Sequence, residues 1–368
     1  MTIPTAHASE LRTPLCDLLG IRYPIVQAGM AGSSTPDLVA AVSNAGGLGI
    51  LGAALMTPDK VREAIRAIKA RTNRPFGVNF QFAPPEVGPH SVREVQKFLD
   101  SFRRELGLPL AVESLPPAPA EWNDQVGVAL QERVPVLSIG LGDPGPLTHA
   151  AHDAGVLVMV MVSTVEEAAR VANGGADIVV AQGAEAGGHR STFELGPGGE
   201  VPLVGTLALV PQVVDAVSVP VLAAGGIMDG RGLVAALALG AAGALLGTRF
   251  LAAPEGGVPA GYQRRLLEAT EVDAVVTNVY TGRPARGVRN RFMETYTGAG
   301  APTLPWPLQR MAAADIYAAA RARDDPDYYL LLAGQGLRLF KRIQPAAEIV
   351  QEIADEAISV LRKLRDLH

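Results

Sequence analysis

The stretch 219–250, VPVLAAGGIMDGRGLVAALALGAAGALLGTRF, decides the fold. It opens on an aliphatic run (219–225) without polar alternation, the mark of a strand covered on both faces, as in parallel sheets. Gly225 and Gly226 close the run, and Asp229 offers an N-cap to a helical segment that stops at Gly240. A second apolar run, 243–248, ends on Gly247-Thr248. This is one strand–helix–strand unit. Its uncharged part, 232–248, has seventeen residues between Arg231 and Arg249, close to the ~20 that span a bilayer. Gly240 and Gly243 split it into a helix and a strand, so a cytoplasmic protein without a membrane partner is expected.

The same grammar extends toward the N-terminus. Strands are expected at 24–29, 47–53, 76–82, 134–141, 156–162 and 178–183, followed by those at 219–225 and 243–248. Thr35-Pro36-Asp37 and Thr57-Pro58-Asp59 each combine a capping hydroxyl, a proline at N1 and an acid for the helix dipole. Thr164 and Glu167 have capping-box spacing. Eight β/α alternations in about 250 residues predict an α/β fold, a (β/α)8 TIM barrel over 1–250. Beyond Phe250 the composition changes, and six of the seven tyrosines lie there. A smaller, mostly helical domain is expected at 251–341. The periodic segment 342–368 predicts a terminal helix that returns to the barrel.

The 368 residues carry a net charge of −5, 48% hydrophobic residues and a mean hydropathy of +0.20. Such a chain buries a large core and offers no field for phosphate backbones, so nucleic acid is not an expected partner. The single cysteine, Cys16, excludes a disulfide framework and CxxC chemistry. Two GxGxxG strings, starting at Gly47 and Gly140, lack a convincing strand–turn–helix context for a dinucleotide site.

The glycine-marked ends of the seventh and eighth strands fall where barrels commonly bind phosphate, although such glycines also serve ordinary turns. His189, in EAGGHR just beyond the sixth strand, falls on the same expected rim and is the candidate catalytic residue. Arg283, Arg286, Arg289 and Arg291 form a short basic run whose ordinary reading is a solvated face, with anion binding as the alternative.

These motifs resemble the nitronate monooxygenase family, FMN-dependent enzymes once called 2-nitropropane dioxygenases. The resemblance rests on Gln27-Ala28-Gly29-Met30, VSNAGGLG at 42–49, FGVN at 76–79 and EAGGH at 185–189. It continues through AAGGIMDGRG at 223–232, GTRF at 247–250, GRPARGVRNR at 282–291 and AGQG at 333–336. It implies FMN at the barrel's C-terminal mouth, capped by the second domain. Carried over by position, Ala28, Gly29, Met30 and Asn79 line the flavin and ribityl chain, and Gln182 and Gly187 contact the flavin. Gly225, Gly226, Gly247 and Thr248 hold the phosphate, Leu245 and Leu246 also bind the cofactor, and His189 stands beside the ring.

The implied reaction converts an alkyl nitronate, such as propionate 3-nitronate, with O2 to a carbonyl compound and nitrite. A histidine of ordinary pKa is roughly a quarter protonated at pH 7. His189 could then serve either as a cation attracting the nitronate or as a neutral base. The segment WPLQRMAAA (306–314) lacks the tyrosines and lysine expected of monooxygenase members. Relatives in this barrel family include NAD(P)H-dependent flavin reductases of enoyl thioesters or quinones, which form the alternative function.

Overall fold

The computed structural model describes residues 8–83, 91–111, 115 and 122–366. Six strands come first: β1 (Ile25–Gln27), β2 (Leu48–Gly52), β3 (Phe76–Gln81), β4 (Val136–Gly140), β5 (Leu157–Val162) and β6 (Ile178–Gln182). A two-residue strand β7 (Gly188–His189) stands apart, and β8 (Val221–Ala224) and β9 (Gly243–Leu246) follow. All except β7 pair in parallel into a closed barrel, β9 meeting β1 through Ile25↔Ala244 and Gln27↔Leu246. Each barrel strand lies within the run of residues that predicted it.

Alternation inside the strands explains where the barrel is solid and where it opens. Val26, Leu48, Ile50, Val136, Met159, Ile178, Val180, Leu222 and Leu245 share an inner cluster. Leu15, Cys16, Leu19 and Ile21 join that cluster at the strands' N-terminal end. The alternate residues, Leu51, Val78, Ile139, Val160, Ala181 and Leu246 among them, belong to the outer layer under the helices. Toward the C-terminal end the inward positions become Ala28, Asn79, Gln81, Ser138, Gly140, Gln182 and Ala224, which are small or polar. Aliphatic filling stops there, and a cavity begins.

The helix signals work as physical chemistry dictates. Thr35 and Thr57 accept from the backbone N–H groups of Leu38 and Lys60, and Asp229 accepts from those of Arg231 and Gly232. The Thr164–Glu167 pair forms only half of a capping box. Thr164 accepts from Glu167 N, but the Glu167 carboxylate turns to Ser163 N (2.7 Å) and to Phe193 N (2.8 Å). It thereby fastens the segment after His189 to the barrel instead of closing the cap.

Beyond Phe250 lie the helices Ala260–Glu268, Arg291–Gly298, Leu308–Ala312 and Ala314–Ala322, with two further strands, β10 (Ala274–Thr277) and β11 (Ala285–Val288). These strands and β7 make an antiparallel sheet in the order β10-β11-β7, with Ala285 opposite His189. The sheet ties the later segment to the loop after β6. The solvated-face reading fails for two of the four arginines. Arg283 and Arg286 are buried, their guanidinium groups donating to Thr192 O and Phe193 O, and to Ala184 O and Ala274 O. Carbonyls that the irregular backbone leaves unpaired consume these donors.

The helix Ala346–Arg365 packs on the helices Gly230–Ala238 and Pro36–Asn44, where Glu356 accepts from Gly230 N (2.8 Å). Among the described residues no helix is long and apolar enough to cross a membrane.

Candidate active site

A cavity of about 460 Å³ occupies the C-terminal mouth of the barrel, within the size range of cofactor and substrate pockets. Its floor comes from residues that leave β1, β3, β4, β6, β8 and β9, because parallel strands deliver all their C-terminal ends to one rim. Ala28, Gly29, Met30, Asn79, Gln182, Gly187, Gly225, Gly226, Leu245, Gly247, Thr248 and His189 all line it. Leu246 does not. One residue past the inward-facing Leu245, it belongs to the outer layer and is 1% exposed. Successive strand residues face opposite sides, so both leucines cannot contribute side chains to one cavity.

One end of this cavity is built from backbone. Gly225 and Gly226 hold φ of +109° and +72°, values that side-chain-bearing residues adopt only with strain. Among the described residues, the backbone N–H groups of Gly226, Gly247 and Thr248 meet no protein acceptor. The Thr248 hydroxyl accepts from Gly334 N (2.9 Å), which leaves its own hydrogen to donate. Gln335 N donates to Glu185 O (2.9 Å), so the AGQG segment braces both the Gly-Thr corner and the EAGGH loop. Hydroxyl and amide donors around a concavity without β-carbons suit an anionic phosphate.

On the β1–β3 side, a Cβ on Gly29 would lie 2.4 Å from Asn79 Cβ, so this position has no room for a side chain. Asn79 Nδ2 donates to Ser138 O and Oγ, leaving its Oδ1 as an acceptor. The residues present therefore fit a phosphorylated cofactor: donors without partners at one end, and a mixed polar and aliphatic bed at the other.

His189 lines the same cavity from β7. Its Nε2 lies 2.9 Å from Thr281 Oγ1, and the Thr281 hydroxyl is also 3.2 Å from Arg283 O. A hydroxyl hydrogen directed to that carbonyl places the imidazole hydrogen on Nε2, and one directed to Nε2 places it on Nδ1. Trp306 meets the ring edge-on at 4.9 Å. Burial, then the charges of Arg310 and Arg283, push the His189 pKa down to about 3. The expectation of a partly protonated imidazole is corrected accordingly: in this cavity the ring is neutral at pH 7.

Gln182 positions the loop. Its Oε1 accepts from Ser191 N and Arg190 Nη1, and its Nε2 donates to His189 O (2.9 Å). Three of its bonds therefore go to the backbone and side chain around His189, leaving one N–H to face a ligand. Arg190 adds bonds to Gln182 O and Pro202 O, and Glu185 accepts from Thr206 N and Oγ1. In EAGGHR the acid and the arginine thus anchor the loop, and the histidine faces the cavity.

The roof consists of residues that the sequence reading left unassigned: Trp306, Arg310, Tyr317, Arg321 and Tyr329. The tyrosine enrichment after residue 250 was the available signal, but it did not distinguish roof from core. Tyr280 and Tyr296 are equally tyrosines and are buried away from the cavity.

The nitronate monooxygenase family model matches residues 12–356. A probable nitronate monooxygenase of Staphylococcus saprophyticus is 36% identical over 357 residues, covering 96% of this chain and 100% of that protein. The structure of a nitroalkane oxidase from Streptomyces ansochromogenes is 38% identical with a TM-score of 0.87, covering 95% of this chain and 99% of that one. FabK from Thermotoga maritima is 33% identical with a TM-score of 0.77, at 97% and 99% coverage. The rim, the EAGGH loop and these similarities agree: the chain is an oxidoreductase belonging to the nitronate monooxygenase family.

Proposed function

We propose that this protein is an FMN-dependent nitronate monooxygenase that oxidises alkyl nitronates, such as propionate 3-nitronate, with O2 to a carbonyl compound and nitrite. The observation that carries the reading is one cavity lined both by the donor-rich glycine corners and by His189. Gly225, Gly226, Gly247 and Thr248 would hold the FMN phosphate through N–H and hydroxyl donors. Ala28, Gly29, Met30, Asn79, Gln182, Gly187 and Leu245 would flank the rest, with the backbone of Leu246 alone adjoining it. FMN, when bound, supplies the redox chemistry, and the protein supplies position, charge and dryness.

His189 takes the role of neutral base. Where the substrate arrives as a nitroalkane, the unprotonated imidazole nitrogen removes the proton α to the nitro group. Where it arrives as the nitronate, that step is already complete and the ring orients the anion. The segment 251–341 roofs the site and excludes water from it.

The deciding experiment loads the protein with FMN, supplies propionate 3-nitronate and follows O2 uptake and nitrite release. Absence of both, in a yellow preparation, overturns the reading. The likeness to FabK favours one second reading, an NAD(P)H-dependent flavin reductase of enoyl thioesters or quinones. Anaerobic mixing with NADH or NADPH separates the two: rapid bleaching supports the reductase, and a persistent oxidised spectrum supports the oxygenase.

A further inference from the structure

We propose that Arg310 is the anion anchor of the cavity roof, taking a planar oxyanion of the substrate and so selecting organic anions over neutral nitro compounds. The inference deepens the reading above and rests on it for the identity of the substrate. Its basis is an imbalance of charge. The chain as a whole carries −5, yet the residues lining the cavity include Arg310 and Arg321 and no aspartate or glutamate. Arg321 is exposed, and its Nη2 donates to Gly32 O and Gly257 O. Among the described residues Arg310 has neither a hydrogen bond nor an ion pair, and tyrosine, not carboxylate, is the group that acts on its charge.

The neighbouring acid is committed elsewhere. Asp315, five residues on, accepts from Arg103 Nε (2.8 Å) and Nη2 (3.0 Å), while Arg103 Nη2 also donates to Ala312 O (2.8 Å). Arg103 is itself buried, so this clamp fixes the junction between the helices Leu308–Ala312 and Ala314–Ala322. A guanidinium is thus held over the cavity on a braced element while the nearby carboxylate is kept from neutralising it.

An uncompensated charge removed from water is costly unless a partner arrives, and the guanidinium fork matches a carboxylate or a nitronate in two parallel bonds. Arg310 is close enough to His189 for its charge to act on the imidazole, while Gly226, Gly247 and Thr248 supply uncharged donors of their own.

Calorimetry on the FMN-loaded enzyme tests the anchor without turnover. Butyrate is expected to bind at least about tenfold more tightly than butyramide, its neutral isostere, and Arg310→Gln is expected to erase a preference of about 10–100-fold. Arg310→Lys keeps part of it, and FMN content stays at the wild-type level. Equal binding of butyrate and butyramide to the wild type, or an unchanged preference in Arg310→Gln, overturns the proposal.

Kinetics then locate the oxyanion. A loss of kcat/KM for propionate 3-nitronate but not propyl-1-nitronate assigns Arg310 to the tail carboxylate. A loss for both assigns it to the nitronate group, and a loss for neither overturns it. Intact butyrate selectivity in an enzyme that turns over no nitronate would sink the reaction reading and leave the anion site standing.

Discussion

The two walls of the cavity are made by opposite means. The corner formed by Gly225, Gly226, Gly247 and Thr248 works mainly through backbone, offering N–H donors and one hydroxyl at the ends of two adjacent strands. The other wall, His189 with Trp306, Arg310 and Tyr317, works through side chains from distant parts of the chain. The first wall is local and set by backbone geometry. The second depends on the β10-β11-β7 sheet and the Arg103 clamp, which join residues 96 and 212 positions apart, respectively. A wall of the first kind is broken by adding atoms, and a wall of the second kind by removing them.

That contrast can be broken most completely at Gly225. A Cβ there would lie 3.0 Å from Ala186 N and from Thr206 Oγ1, on a backbone with φ of +109°. Gly225→Val is therefore expected to give colourless protein that fails to take up FMN in a spectrophotometric titration. Uptake at wild-type affinity would refute the backbone account of that wall.

The side-chain wall should separate chemistry from cofactor binding. His189→Asn is expected to retain FMN and to lose about 10²–10⁴-fold in kcat, as a positioned base requires. Measuring flavin content and rate on one preparation distinguishes this outcome from misfolding.

Between the walls stands Gln182, which lines the floor yet spends its amide on the His189 loop. Gln182→Leu leaves Ser191 N and His189 O without their partner, a cost of about 1–3 kcal/mol per stranded group. Thermal unfolding should register it as a lower Tm, with activity reduced beyond what the remaining flavin explains.

A smaller effect is expected at Thr281, whose hydroxyl meets His189 Nε2 and Arg283 O. Thr281→Val should lower kcat by about 2–10-fold, the worth of one neutral hydrogen bond, and leave KM unchanged. Recovery in Thr281→Ser would show that the hydroxyl acts through ring orientation rather than through packing.

The least conspicuous prediction is a missing feature. With its pKa pushed down to about 3, His189 should contribute no inflection near pH 6.5 to kcat/KM and no imidazole NMR titration between pH 5 and 8. The stability sign follows from the same shift. Between the ordinary 6.5 and about 3 the unfolded chain binds the extra proton, so this group stabilises the fold above that window and the contribution fades as pH falls through it. A titration centred near 6.5 would mean that the imidazole is far better solvated than the roof allows.

Reading the sequence worked where neighbours along the chain carry the information. The eight barrel strands, the caps of Thr35, Thr57 and Asp229, and the glycine corners all depend on residues within a few positions of one another. It failed where side-chain direction or long-range pairing decided the outcome. The Leu246 side chain turns outward by strand alternation while Leu245 faces the cavity, and Glu167 left its cap for Phe193 N because an unpaired amide lay within reach. Arg283 and Arg286 read as a basic surface because four cations in nine residues carry no mark of the carbonyls that bury two of them.

Local order therefore suffices for the barrel and for the end of the cavity made from turns, since hydrophobic runs and glycines act over a few residues. The charge state of His189 and the unpaired guanidinium of Arg310 do not follow from local order. Both depend on which groups are excluded from water together and which carboxylates are already engaged, and only the packed chain settles that.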